Sequence, residues 1–192
     1  FVYGYRHRLN EDGTVTELPA QYQDRPTGTA DLFERMYLSH LCVTYRRELY
    51  DKVGGYDPAL RNADDYDMYL RMSLHCRFEP IGRPTGQRRR HAGCLSQQTG
   101  YSRMLEGEVL RRFVETRGGK GLLDADRVAR RLGKLYYSAG RQYFKARCYR
   151  EATAAIRTAH RYRRTLKSIG VGLLSRCLLP FGKRDEREMP EL

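Results

Sequence analysis

The 192-residue sequence is informative first for what it lacks. It begins at Phe1 with no Met and no charged-then-apolar leader, so it is expected to be a piece of something longer, and these residues show no secretory signal. The apolar stretch from Ile169 to Phe181 is interrupted by Arg176 and falls short of the roughly 20 apolar residues that cross a bilayer. The five cysteines (Cys42, Cys76, Cys94, Cys148, Cys177) are odd in number and widely spaced, with no CxxC and no Cys/His cluster. Buried free thiols in a reducing compartment are therefore expected. No zinc-finger spacing, RNP-type aromatic motif or Gly-rich clamp accompanies the net charge of +13, so nucleic acid is not the expected partner.

Apolar residues make up 40% of the chain and fifteen residues are Tyr, enough for a packed core. The length suits one ordinary domain, or one small domain with an appendage. The positive charge is unevenly spread. From Arg117 onward 19 Lys/Arg stand against 7 Asp/Glu, whereas the residues before it hold 17 against 16. The excess belongs to the C-terminal part, where a positive tail near an anionic membrane surface is the expected consequence.

The opening FVYGYRHRLNEDGTV predicts a strand running into a hairpin, since Val2, Tyr3 and Tyr5 favour extended backbone and Asn10 to Gly13 is turn chemistry. Leu32, Phe33 and Met36 predict a short helix over Thr29–Tyr37. Leu41, Val43 and Tyr45 alternate as a strand would, and Arg47–Val53 reads as a short helix stopped by Gly54-Gly55. Tyr66, Tyr69, Leu70 and Leu74 predict a helix over Asp64–Cys76, with Asn62, Asp64 or Asp65 as its cap. A short strand over Arg77–Ile81, a loop over Gly82–Ser96 and a helix over Tyr101–Arg117 follow.

The glycines around Arg117-Gly118-Gly119-Lys120-Gly121 mark the clearest boundary. They divide a first domain, 1–117, from a basic helical tail, 118–192. In the tail Tyr136, Ala139, Gly140, Tyr143, Tyr149, Ala152, Ile156 and Ala159 lay down one tetratricopeptide-like pattern, in which small residues let two helices approach while tyrosines fill the seam. One such repeat predicts a helical hairpin rather than a superhelical array. The stretch after Ile169 either lies on a membrane surface or packs on that hairpin.

Three features could carry chemistry. In NADDYDMYLR the carboxylates of Asp64, Asp65 and Asp67 stand at a loop-to-helix junction, with Arg71 one turn beyond Asp67. A carboxylate held ionised at a helix N-terminus can accept a proton from an attacking hydroxyl. Taken alone, the motif reads first as a helix cap and a salt bridge, since acidic helix N-termini are common. In VGGYDPAL the paired Gly54 and Gly55 permit a tight turn and close approach by a ligand or another chain. In Gln87-Arg88-Arg89-Arg90-His91 the arginines suit a diphosphate and the imidazole a divalent metal, although a solvated basic loop is the bland alternative.

Taken in order, Arg46-Arg47-Glu48, Val53 to Asp57, Asp64 to Arg71, and Arg90-His91 followed by Ser96 resemble the second half of family 2 glycosyltransferases. The resemblance covers Phe1 to about Arg117. It implies an α/β, A-type nucleotide-diphospho-sugar transferase fold, a mixed sheet with flanking helices. It implies an inverting transfer of sugar from a nucleotide-diphospho-sugar to an acceptor hydroxyl. Asp65 matches the family's catalytic base and Asp64 stands where a Glu is usual. Asp67 and Arg71 would position that base, Gly54 and Gly55 would border the substrate, and Arg88 or Arg90 would stabilise the leaving group. His91 would lie near a divalent cation, Mn2+ or Mg2+. By analogy the setting is bacterial surface-polysaccharide or lipid-linked glycan synthesis, in the cytoplasm or at the inner face of the membrane.

Two small departures from the pattern are Asp64 in place of Glu and Pro58 after Asp57. The larger one is that no D-x-D stands upstream of the Asp64 block. The nucleotide- and metal-binding half is expected to precede Phe1, and these residues alone are expected to be inactive. Two rival classes are a non-catalytic interaction module whose helical tail docks a partner, and a nucleic-acid binder built on the positive tail.

Overall fold

In a computed structural model, residues 1–19, 24–60, 62–89 and 99–183 are described. The chain falls into two compact units, Phe1–Gln97 and Gln98–Leu192. The first is α/β and the second is helical.

In the first unit, strand β1 (Val2–Leu9) turns through Asn10–Gly13 into the two-residue strand β2 (Val15–Thr16), as the hairpin signal predicts. Gly13 takes the left-handed φ of 84° that the turn requires, and the Asn10 side chain donates to Thr14 and Thr16. Helix α1 (Thr29–Glu34) is shorter than the periodicity suggests. The expected strand at Leu41–Tyr45 is a 3-10 turn (His40–Cys42) leading into only two extended residues, β3 (Val43–Thr44). Helix α2 (Arg47–Val53) ends at Gly54, whose φ of 79° makes the left-handed stop that the paired glycines announce. Helix α3 (Asp64–Met72) follows.

The expected loop at Gly82–Ser96 is corrected as far as Arg89, and its remainder lies outside the described residues. Glu79–Arg89 forms an eleven-residue strand, β4, parallel to β1 along its whole length, so the sheet is mixed. Pro80 and Pro84 are tolerated because β4 lies at an edge among the described strands, and irregularities in the register absorb the breaks. Gly4 is needed for this pairing: a Cβ there would stand 2.8 Å from the Arg83 carbonyl. Arg90, His91 and Ser96 lie outside the described residues. The core of this unit gathers Tyr3, Leu32, Phe33, Met68, Leu70 and Phe78, and the Tyr66 hydroxyl ties α3 to α1 by donating to the Leu32 carbonyl at 2.7 Å.

The second unit begins at Gln98, ahead of the glycine cluster that follows Arg117. Helix α4 (Thr99–Thr116) packs on helix α5 (Ala125–Lys145), with Met104, Val109, Leu110 and Phe113 buried. The glycine cluster at 118–121 is the turn between two packed helices. A 2.5 Å ion pair from Arg131 to Glu106 joins them. Helix α5 is capped by Asp124, which accepts from the Arg127 amide, and a turn at 146–148 leads to helix α6 (Tyr149–Tyr162).

The expected hairpin is present. Tyr136, Ala139, Gly140, Tyr143, Tyr149, Ala152, Ile156 and Ala159 are all buried, and a Cβ on Gly140 would stand 2.7 Å from the Ile156 side chain. Helix α7 (Leu166–Cys177), begun by a Thr165–Ser168 capping box, packs on α6. No helix among the described residues is long and apolar enough to cross a membrane. Of the described cysteines all four are free, with Cys42 and Cys148 buried and Cys177 exposed.

Removal of a seam residue measures the hairpin directly. Leu135→Ala is expected to cost the helical unit roughly 2–4 kcal/mol in urea unfolding, while near-ultraviolet signals from the first unit are unchanged.

Candidate functional site

Helix α3 is entered through Ala63, held left-handed at φ 72°, and no side chain caps its start. The expected caps at Asn62, Asp64 and Asp65 are therefore corrected. Asp64 and Asp65 are half-buried at the first turn without serving the helix as its N-cap. The Asp65 carboxylate accepts from its neighbouring Tyr66 amide at 2.7 Å.

What fixes this turn is a buried clamp below it. Asp67 is 1% exposed and pairs with Arg71, Nε to Oδ2 at 2.9 Å and Nη2 to Oδ2 at 2.7 Å. The same guanidinium donates to the carbonyls of Val53 and, at 2.7 Å, of Gly55. Arg71 thus spends its donors on one carboxylate and on the turn that ends α2. Gly55 is required at φ 70°, where a Cβ would stand 2.7 Å from the Tyr50 hydroxyl, whereas Gly54 is exposed. Asp67, Arg71 and Gly55 are buried, and their hydrogen bonds hold the turn that ends α2 against α3.

Above the clamp, Asp65 faces an aromatic group that sequence reasoning missed. His40 and Tyr69 share a 2.7 Å hydrogen bond between Nδ1 and Oη, and the Tyr45 and Tyr56 hydroxyls stand 3.4 Å apart. Phe1 lies against both Tyr45 and Tyr69, and Tyr50 stacks on Tyr45. Burial raises the Asp65 pKa above its ordinary 3.8, and the adjacent Asp64 charge adds to this against the Tyr66 amide and the pull of His40. Burial also lifts the Tyr56 and Tyr69 phenols, which the Asp65 and Asp64 charges reinforce. Only one signal pointed to these rings: Tyr69 lies four residues after Asp65, on the same helix face. His40, Tyr45 and Tyr56 come from other elements and left no local mark.

Arg88 belongs to β4, in register with Arg8 on β1 and close to Arg6. Burial, and then the Arg88 charge, lower the Arg6 pKa, and Arg6 donates to the Ser39 hydroxyl at 2.9 Å. Arg6 and Ser39, with Arg35 and Tyr37, line a cavity of about 390 Å³. Arg90 and His91 lie outside the described residues. Among the described residues no group of three or more His, Cys, Asp or Glu is placed to hold a metal ion.

The arrangement suits proton transfer. A carboxylate whose pKa is raised is a better base than an ordinary surface Asp, and the surrounding rings offer apolar faces with polar edges to a polyhydroxylated ligand. Comparison with protein-family models, with curated proteins and with solved structures finds no match to this chain.

Two outcomes follow for variants. Arg71→Met leaves the Asp67 charge buried and unpaired and is expected to destabilise by roughly 3–5 kcal/mol. The Asp67→Leu/Arg71→Met double variant should lose less, which a double-mutant cycle in urea checks. A folded pKa above the unfolded one means that ionising Asp65 weakens the fold, so stability falls as pH climbs past 3.8. Asp65→Asn removes that loss. Its stability relative to the wild type should rise from acid to neutral pH in melts taken between about pH 3 and pH 8; a difference independent of pH would disprove the assignment.

Proposed function

We propose that this chain supplies the acceptor side of an inverting glycosyltransferase of the family 2 type, with Asp65 as the general base. The observation that carries the reading is the desolvated Asp65 carboxyl, set at the start of α3 above the Asp67–Arg71 clamp and beside His40 and Tyr69. The order of the motifs around it supports the same reading, and so does the mixed α/β sheet, which is compatible with an A-type nucleotide-sugar transferase.

The chemistry assigned to these residues is a single displacement. An acceptor hydroxyl enters over the aromatic group and its oxygen attacks the anomeric carbon from the face opposite the nucleotide. Asp65 takes the hydroxyl proton as that bond forms. The bond from the anomeric carbon to the diphosphate oxygen breaks with its electron pair leaving on the nucleotide diphosphate. Configuration inverts because attack and departure are in line. Asp64, one residue earlier, keeps a second negative charge at the same turn and helps hold the Asp65 pKa up. The basic strip of Arg6, Arg8 and Arg88 is the described feature best suited to the charge that develops on the leaving group. On this reading the donor-binding acids and the divalent cation belong to sequence upstream of Phe1. The setting is glycan synthesis on a polymeric or lipid-linked acceptor.

The test pairs the chain with its upstream coding sequence and compares wild type with Asp65→Asn across a panel of nucleotide sugars and acceptors. Acceptor-dependent turnover should fall by a factor on the order of 10²–10⁴ in the variant while nucleotide-sugar binding holds. Equal rates would remove Asp65 from the role of base. An absence of turnover with every donor would favour the interaction-module class instead.

A further inference from the structure

The last helix of the second unit is built inside out. On α7 the face turned toward the protein carries Ser168, 1% exposed, Gly172, and Ser175, fully buried. Gly172 lets the helix close on Ile156, where a Cβ would stand 3.0 Å from that side chain. The opposite face holds Leu166, Ile169, Leu173 and Leu174, with exposures of 89%, 40%, 58% and 55%. Phe181, after the helix, is 76% exposed. A soluble amphipathic helix places these residue types the other way round. The inversion is systematic, since Ser168, Gly172 and Ser175 are spaced as one helical face and Leu166, Ile169 and Leu173 as the other.

Beside this face runs a groove of about 450 Å³ between α6 and α7. Its rim carries Arg157, Arg161, Arg164 and Arg176, and its wall Ile169 and Leu173. No acidic residue among the described ones lines it. From Arg127 to Lys183 the sequence has one acid, Glu151, and that side chain is buried. The four arginines therefore line the groove with no described carboxylate among them. A surface that is apolar along one helix and cationic along its border matches an anionic bilayer surface, in which acyl chains lie beside a layer of phosphates.

We propose that α7 and the adjoining groove form a peripheral binding surface for anionic phospholipid membranes. Leu166, Leu173 and Leu174 enter the acyl boundary, and Arg157, Arg161, Arg164 and Arg176 meet the headgroup phosphates. The helix lies in the interface, being too short to span. This inference stands apart from the glycosyl-transfer reading and holds whether or not Asp65 is a base.

The experiment is co-sedimentation of the full 192-residue chain with vesicles of phosphatidylcholine alone, or of phosphatidylcholine mixed with phosphatidylglycerol. The expected result is binding only to the anionic vesicles, weakened by added salt. Arg161→Gln/Arg164→Gln should lower the partition coefficient on the order of tenfold or more. Leu173→Asp/Leu174→Asp, at positions already exposed, should lower it on the order of tenfold or more with unchanged circular dichroism. Absence of binding, or equal binding to both vesicle types, would overturn the proposal. So would a wild-type dimer in sedimentation equilibrium that Leu173→Asp/Leu174→Asp converts to monomer, because the apolar face would then belong to a second copy.

Discussion

The buried Arg71 guanidinium is the joint on which the first unit's site depends. It satisfies Asp67 from within its own helix and the carbonyls of Val53 and Gly55 from the end of α2. Desolvating an arginine and an aspartate costs more than their attraction returns unless the remaining donors are also filled, and here the two carbonyls take them. The clamp therefore does two things with one charge pair. It makes a buried ion pair tolerable, and it sets the distance between the glycine turn and the first turn of α3. Asp64 and Asp65 inherit their position from it. The contacts span the chain: Arg71 lies 16 residues after Gly55 and 18 after Val53.

That dependence explains which parts were legible in the sequence. Elements that rest on local pattern were readable: the Asn10–Gly13 hairpin, α2 with its Gly54 stop, and the α5–α6 seam of tyrosines facing small residues. Each encodes its structure within a turn or a helix face. Strand β4 was not readable, because Pro80, Gly82, Pro84 and Gly86 carry every local sign of a loop. Those residues form a strand only because β1, the sheet's central strand, offers an edge along its whole length. The glycine cluster after Arg117 is ambiguous for the opposite reason. Gly118 and Gly121 do adopt left-handed backbone, as a linker would, yet they turn α4 back onto α5. A glycine run reports a reversal of the chain and leaves open whether a core ends there.

The candidate site divides in the same way. The acids and Arg71 lie within one helical segment and their pairing follows from one-turn spacing. The rings near Asp65 come from the 3-10 turn, from the residue after β3, from the segment after α2 and from α3 itself. No window of sequence contains them. Desolvation is a property of assembly, so the raised Asp65 pKa was invisible, although the residue itself was identified. The acid block also lost its simplest alternative role once Ala63 took the position where a cap would stand.

Charge accounts for the difference between the two units. In the first, three cations are answered close by, Arg71 by Asp67, Arg47 by Asp51 and Arg25 by Asp31, while Arg6 and Arg88 lie close to one another. In α4 and the first turns of α5 the same holds, with Arg111 beside Glu108 and Glu115, and Arg131 beside Glu106. Past Arg127 the acids run out. Helices α6 and α7 keep adding arginines with Glu151 alone to oppose them up to Lys183. Like charges in one groove repel and lower the stability of the unit that carries them. The leucines on the outer face of α7 are a second departure from what a free soluble helix would show, and the two departures occupy the same few turns. Local rules broken together at one place, with the packing around them otherwise regular, are the pattern expected of a surface shaped for something outside the chain.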